Sequence, residues 1–295
     1  MDINYELYKV FYYVATSLSF SEASKKLYIS QSAVSQSIKT LEKKLEQPLF
    51  IRSTKKVRLT PAGEVLLKHI EPAMNLIARG ENQILEANTF GLGQLRIGAS
   101  DTICRYFLVP YLQKFHRKFP NVPIKVTNAT SLGCVELLEQ GKVDVIVTNV
   151  PNIRLNQSYV QKRVCAFTDV FIANPAYFDL KDQVISLKDL TRYPLLMLDQ
   201  KSTTSEFLHN LFLQHQLELI PEIELSSNDL LIDLARIGLG IACIPDYCLQ
   251  KKSEDLFVLT LTEQIPKRSL AVSTNPNLPA SASTTEFLEL LPELS

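Results

Sequence analysis

This 295-residue chain has no long apolar run, no metal-spaced cysteines and no catalytic signature. No uninterrupted apolar stretch reaches the ~18 residues of a membrane-spanning helix, so no membrane partner is expected. Met1 to Asn4 leads almost directly into an amphipathic pattern without a basic leader and apolar core; a secretory signal is not expected, and the cytoplasm is the expected compartment. The five cysteines, Cys104, Cys134, Cys165, Cys243 and Cys248, are scattered and contain no CxxC pair. They read as small hydrophobes in a reducing compartment, where structural disulfides are not expected; a redox-sensing thiol pair is the alternative reading. His69, His116, His209 and His215 stand apart from any metal-spaced cluster, and His209 and His215 fall on different faces of one helix, so no metal site is expected.

Signatures of group transfer are missing too. There is no GxSxG, HExxH, P-loop or dinucleotide fingerprint, and the GLG of Gly238 to Gly240 precedes a strand, the wrong order for holding phosphate. Asp144 and Asp169 are isolated carboxylates that read as caps or surface groups. No catalytic residue and no cofactor are expected, which argues against an enzyme. An exported solute-binding protein would need the leader that is not seen. Net charge is also lacking, at +0, but its distribution is uneven. Residues 1 to 60 hold 10 Lys+Arg against 5 Asp+Glu, a basic head on an acidic body, as expected where only the head meets nucleic acid.

The most informative stretch is Phe20 to Leu45. Ser21 is the expected cap of a short helix carrying Glu22, Ala23 and Leu27, and Tyr28 and Ile29 form a corner. Ser30 is then expected to cap a second helix. There Ala33, Val34, Ile38, Leu41 and Leu45 form the core-facing stripe, leaving Gln31, Ser32, Ser35, Gln36 and Lys39 on the other face. Such a polar face, starting at a helix N-terminus, is what a helix-turn-helix protein presents to the major groove, where Gln and Ser can bond base edges or phosphates. The next segment, Leu49 to Gly63, alternates from Arg52 to Leu59 and clusters Lys55, Lys56 and Arg58. It reads as a basic hairpin wing lying along phosphates or placing Arg52 in a minor groove.

Beyond the wing, residues 62 to about 90 form a long helical pattern, with Leu66, Ile70, Ala73, Met74, Ile77, Ile84 and Leu85 near heptad spacing. Pro72 should kink it near His69, and Gly80 should weaken it. The FGLGQ of Phe90 to Gln94 marks a hinge. Afterwards strand and helix alternate, as in a parallel α/β domain. Strands are expected at LRIGAS, VPIKVTN, VDVIVTN, VFIAN, PLLMLD, IELSS, GIACIP, LFVLTL and RSLAVSTN. Helices are expected at Ile103 to Phe119, Leu132 to Gln140, Ser186 to Leu190, Thr204 to Gln216, Asn228 to Ile237 and Ser283 to Leu291.

Residues 1 to about 90 resemble the N-terminal part of LysR-type transcriptional regulators. Phe11, Val14, Ala15, Phe20, Ala23, QSAVSQSIKTLE, LFIR, Lys55, Val57 and LTPAG carry that likeness. IGAS, LVPYLQKFHRKFPNV, LLEQGKVDVIV and LIDLARIGLGIACIPDYCL extend it to the effector-binding part of the same family. The resemblance implies an N-terminal all-α winged helix-turn-helix with a long linker helix, and a C-terminal α/β two-lobed domain similar to periplasmic binding proteins. It implies a DNA-binding domain at 1–60, a linker and dimerisation helix at 61–90 and an effector-binding domain at 91–295. Lobe 1 would hold about 91–163 and 266–295, and lobe 2 about 164–265.

The resemblance places base contacts on Gln31, Ser32, Ser35 and Gln36, and backbone or minor-groove contacts on Arg52, Lys55 and Arg58. It further implies an inverted-repeat operator in double-stranded DNA, a homodimer or homotetramer, and a small-molecule effector between the lobes. A small anion suits strand ends and helix N-termini. Ser100, Asp101, Thr102, Thr130, Ser131, Thr203, Thr204 and Asn228 are the cleft candidates, with Ser100, Thr102 and Ser131 foremost. Helix capping would by itself account for residues of these types.

Overall fold

A computed structural model describes residues 3–52, 56–87, 93–155, 159–249, 255–277 and 279–294, with the backbone alone at 52, 82, 83 and 85–87. The chain divides into two compact units, one of residues 1–85 with 140–142 and one of residues 86–139 with 143–295.

In the first unit, α1 (Tyr5–Ser17), α2 (Phe20–Leu27) and α3 (Gln31–Leu45) precede a hairpin of β1 (Phe50–Arg52) and β2 (Val57–Leu59), and α4 (Pro61–Ala87) follows. The cap of α2 is Ser19, not the expected Ser21. Its side chain accepts the Glu22 N–H at 3.2 Å, and Phe20 is already helical. Tyr28 ends α2 in the left-handed region at φ 56, which turns the chain sharply enough for Ser30 to cap α3 by accepting the Ala33 N–H at 3.2 Å. Val34, Ile38 and Leu41 are fully buried with Phe11, Val14 and Ala23; Ala33, expected on the same stripe, is exposed. Phe50 brings the wing into this core, with its ring 5.5 Å from that of Phe11 and 5.8 Å from that of Phe20.

Two contacts join the wing to its neighbours. The Glu42 carboxylate on α3 accepts the backbone N–H groups of Leu49 (2.8 Å) and Phe50 (3.2 Å). Gly63 in the first turn of α4 lies so close to the Leu49 carbonyl oxygen that any Cβ would collide with it. The helix α4 runs through Pro72 and Gly80 as one element. Leu66, Leu67 and Ile70 pack on the head core, whereas Ile77 and Ile84 are exposed. Phe90, Gly91 and Leu92 of the expected hinge lie outside the described residues; Gly93 after them has φ 69.

The second unit begins with β3 (Leu95–Ala99), α5 (Asp101–Ile103), a π-helical turn (Cys104–Leu108) and α6 (Val109–Lys118). This helical run starts two residues before the expected Ile103. Pro110 has no N–H for the Tyr106 carbonyl, and the Val109 N–H reaches back five residues to Cys104, which widens the turn. Next come β4 (Ile124–Asn128), α7 (Ser131–Glu139), β5 (Val145–Val150) and β6 (Val160–Phe167). After β6 follow β7 (Asp169–Ala173), β8 (Val184–Ile185), α8 (Leu187–Leu190), β9 (Leu195–Leu198) and α9 (Thr203–Gln214). The unit closes with β10 (Ile223–Leu225), α10 (Asn228–Arg236), β11 (Ile241–Pro245), β12 (Phe257–Val258), β13 (Thr260–Leu261), β14 (Arg268–Thr274) and α11 (Ala282–Glu289).

Two five-stranded sheets form two lobes, in the orders β4-β3-β5-β14-β6 and β10-β9-β11-β7-β12. Neither sheet is all-parallel, as the alternation of strand and helix suggested. β14 runs antiparallel to both β5 and β6, and β7 runs antiparallel to β11 and β12. The cause is connectivity. β6 crosses directly into β7 through Thr168, and β14 returns from the second lobe to lie between β5 and β6. The sequence pattern did not reveal β6, whose face is largely polar, as Val160–Phe167 is buried only at Val164 and Phe167. LFVLTL splits into β12 in the second sheet and β13 paired with β8. Separate cores fill the lobes, one around Ile97, Phe115, Val147 and Phe287, the other around Phe171, Leu195 and Phe212. Among the described residues no helix is long and apolar enough to cross a membrane, and no cluster of three or more His, Cys, Asp or Glu could hold a metal.

Candidate functional sites

On the head, the face of α3 opposite the buried stripe carries the expected polar set. Gln31, Ser32, Gln36 and Lys39 are exposed, and Ser35 is partly exposed. The Ser30 and Ser32 hydroxyls lie 2.8 Å apart, so the first turn of α3 presents a fixed hydroxyl pair at the end where helical N–H groups are open. The wing is a regular antiparallel pair with Ile51 opposite Arg58 and Arg52 opposite Val57; Arg58 is exposed. The Arg52 side chain and all of Lys55 lie outside the described residues.

In the second unit a cavity of about 400 Å³ opens between the lobes. Ser100, Thr102, Thr130, Ser131, Thr203 and Asn228, the six residues expected there, all line it, together with Asp101 and Thr204. Topology explains the gathering. The C-terminal ends of β3, β4 and β5 deliver Ser100, Asn128 and Asn149, while the segments after β9 and β10 deliver Asp199, Ser202, Ser226 and Ser227. Ligands of open α/β sheets sit at such strand ends.

Four helix N-termini, those of α5, α7, α9 and α10, reach this cavity. Their caps are Ser100, Thr130, Ser202 and Ser227, which accept the N–H groups of Ile103 (3.3 Å), Gly133 (3.1 Å), Ser205 (3.0 Å) and Leu230 (3.4 Å). Capping therefore accounts for Ser100 and Thr130. It does not account for Thr102, Ser131, Thr203 or Asn228, which lie inside their helices. Ser131 instead accepts the Asn149 N–H at 3.1 Å and, through its carbonyl, the Asn152 side chain at 3.0 Å.

Side chains also cross from lobe to lobe. Asn228 on α10 donates to the Thr102 hydroxyl at 3.0 Å. One residue further on, Asp229 accepts the Tyr106 hydroxyl at 2.5 Å and pairs with Arg105 at 3.4 Å. Burial and the Asp229 carboxylate push the Tyr106 phenol well above its ordinary value. Tyr106 sits in the π-helical turn, so the widened turn is what places it at the second lobe.

Behind Thr203 lies a buried ion pair. Arg268, the first residue of β14, donates to Asp169 at 2.8 Å, to Thr204 at 3.1 Å and to Thr203 at 3.4 Å. Its guanidinium lies 5.3 Å from the Phe167 ring centre and 4.8 Å from that of Phe207. Burial raises the Asp169 carboxyl, and the guanidinium works against that rise. The expectation that Asp144 and Asp169 were caps or surface groups is thereby corrected. Both are buried, and Asp144 is held by Arg96 through two bonds of 2.7 and 3.0 Å. Both pairs join residues distant in sequence, which local spacing cannot reveal.

Arg268, Asn149, Asn128 and Tyr247 were not singled out from sequence. Arg268 did carry a signal, since it heads RSLAVST, an otherwise apolar strand that keeps a charge only when it is paired. The cysteines behave as expected of small hydrophobes. Cys134, Cys243 and Cys248 are buried, and burial holds all five thiols above their ordinary value, that of Cys134 up to about 12.

The comparisons agree with this division. Residues 5–64 match the bacterial regulatory helix-turn-helix proteins of the lysR family, and residues 91–295 match the LysR substrate binding domain. A probable RuBisCO transcriptional regulator of Synechocystis is 28% identical over 293 residues, covering 96% of this chain and 84% of that one. Full-length CbnR complexed with its target DNA shares the fold with a TM-score of 0.68 at 18% identity, covering 98% of this chain and 99% of that one. The regulatory domain of CcmR from Synechocystis, in complex with 2-PG, has a TM-score of 0.61 at 21% identity, covering 67% of this chain and 94% of that one. With a helix-turn-helix head and a two-lobed body each matching its own half of the family, the chain belongs to the LysR-type transcriptional regulators.

Proposed function

We propose that this regulator reads an inverted-repeat operator in double-stranded DNA and answers to a small anionic effector held between the lobes, acting in the cytoplasm. In this reading a DNA-binding head takes 1–60, a linker helix 61–90 and an effector-binding body 91–295. Gln31, Ser32, Ser35, Gln36 and Lys39 contact the major groove, and Arg52, Lys55 and Arg58 contact the backbone or minor groove. Ser100, Thr102, Thr130, Ser131, Thr203 and Asn228 contact the effector. The observation that carries the effector reading is the convergence of four helix N-termini on one cavity, because each brings unpaired N–H groups and partial positive charge. The relative seen with 2-PG supports a small ligand in such a domain, and the relative seen on its target DNA supports the head's role.

A homodimer or homotetramer is proposed from α4, where Ile77 and Ile84 on the near-heptad stripe are 57% and 71% exposed and suit a second copy of the helix. Effector binding shifts the balance between lobe arrangements, and through the assembly changes how the heads sit on DNA. The test is selection of genomic fragments by the purified full chain at stated salt. Enrichment of inverted-repeat sites is expected, and no enrichment at low salt would overturn the role of the head.

A further inference from the structure

The cavity lining points to the chemical class of its occupant, an inference that rests on reading the cleft as the effector site. No Lys, Arg or His is among the described residues that line it. The buried cation behind the lining, Arg268, is engaged through its two terminal nitrogens by Asp169, Thr203 and Thr204, its Nε has no partner, and two aromatic rings enclose it. Here the positive pole consists of helix N-termini alone, whose open N–H groups can hold a carboxylate.

The rest of the lining has the opposite character. Asp101 and Asp199 contribute two carboxylates. Asn228 is 5% exposed, and its carbonyl oxygen has no hydrogen-bond partner; the Asn149 carbonyl oxygen has none either. A carbonyl oxygen can only accept, so these two require donors. A simple carboxylate or a dianion supplies none and would meet the two acids as a like charge.

We propose that the anionic group of the effector is the carboxylate of a small amino acid, so that the ligand is a zwitterion and not a simple anion. Its carboxylate lies on the helix N-termini, and its ammonium group lies toward the Asn149 and Asn228 carbonyls and the Asp101 and Asp199 carboxylates. The cavity of about 400 Å³ holds a free amino acid with room for its side chain.

The test is calorimetric titration of the full chain with free α-amino acids, with the carboxylic acids and the amines of the same carbon skeletons, and with inorganic phosphate and succinate. At least one amino acid is expected to bind ten-fold or more tightly than both its desamino acid and its amine. Asp199→Asn should lower that affinity about ten-fold and should not weaken binding of the desamino acid, for which it removes a like charge. Tighter binding of phosphate or succinate, lost in Ser131→Asp, would overturn the zwitterion and keep the cleft as the effector site. An amino acid whose affinity is unchanged in both Asp199→Asn and Asn228→Ala binds elsewhere, which would overturn the cleft reading as well. Absence of binding across the whole panel would overturn the proposal.

Discussion

Arg268 and Asp169 stand 99 residues apart in sequence and form a 2.8 Å ion pair in which both side chains are at most 1% exposed. Arg268 begins β14, which returns to the first sheet, and Asp169 begins β7 of the second. The pair therefore fastens the point where the chain crosses between lobes. Arg268→Met leaves a buried carboxylate without its cation and should cost about 3–5 kcal/mol of stability by urea denaturation. The double variant Arg268→Met, Asp169→Leu should recover much of that loss, because the uncompensated charge is then gone. A double variant as unstable as the single one would show that the pair contributes more than mutual neutralisation.

Tyr106→Phe removes the 2.5 Å bond to Asp229 across the cleft. A bond to a charged acceptor contributes about 1.5–3 kcal/mol, and a loss of that order is expected at neutral pH. Because the folded-state phenol is raised above 10, its contribution is fully present below pH 10 and is lost as pH rises through the raised value. The stability difference between wild type and Tyr106→Phe should accordingly stay constant from pH 7 to 9 and shrink at higher pH.

Arg58→Ala, and separately Arg52→Ala, should weaken operator binding in fluorescence titrations and lower the magnitude of the salt slope by about 1, as expected when one phosphate contact is lost. Melting of the body should be unchanged, since both arginines belong to the head hairpin. Gln36→Ala should instead reduce discrimination between operator and random DNA at fixed salt. An unaltered salt slope in both arginine variants would remove the wing from the DNA interface.

Gly63→Ala should destabilise the head by about 1–3 kcal/mol, because the added methyl meets the Leu49 carbonyl oxygen and the Leu59 side chain. Glu42→Ala should act on the same junction by leaving the Leu49 and Phe50 N–H groups without their carboxylate. Each should reduce DNA affinity together with head stability, as read by limited proteolysis alongside titration.

Alkylation of the folded chain at pH 7.5 should be slow at every cysteine, since burial disfavours each thiolate and Cys134 titrates only near 12. Cys104 and Cys165, the two that are partly exposed, should react first. Rapid modification of Cys134 before unfolding would contradict the burial described.

The order of elements was legible because it depends on local rules. The spacing of Val34, Ile38 and Leu41, the Ser30 cap and the paired strands of the wing each follow from a few neighbouring residues. Capping was read one or two positions off at α2, α9 and α10, where Ser19, Ser202 and Ser227 do the work expected of neighbouring residues. A run of serines and threonines leaves the cap position undecided until the backbone has turned. β6 escaped notice because one of its faces meets solvent.

By itself, then, the sequence determined that a basic reading head precedes an α/β body, and which loops hold hydroxyls, because period, composition and caps are short-range properties. Only the tertiary structure decided that β14 and β7 run against their neighbours, that Arg268 is buried away from the cavity, and that Asn149 and Asn228 bring unpartnered oxygens to its lining. Those outcomes come from the chain crossing twice between two sheets. Residues about a hundred positions apart then share one low-dielectric space, where the partner a charge or acceptor meets, or fails to meet, decides its role.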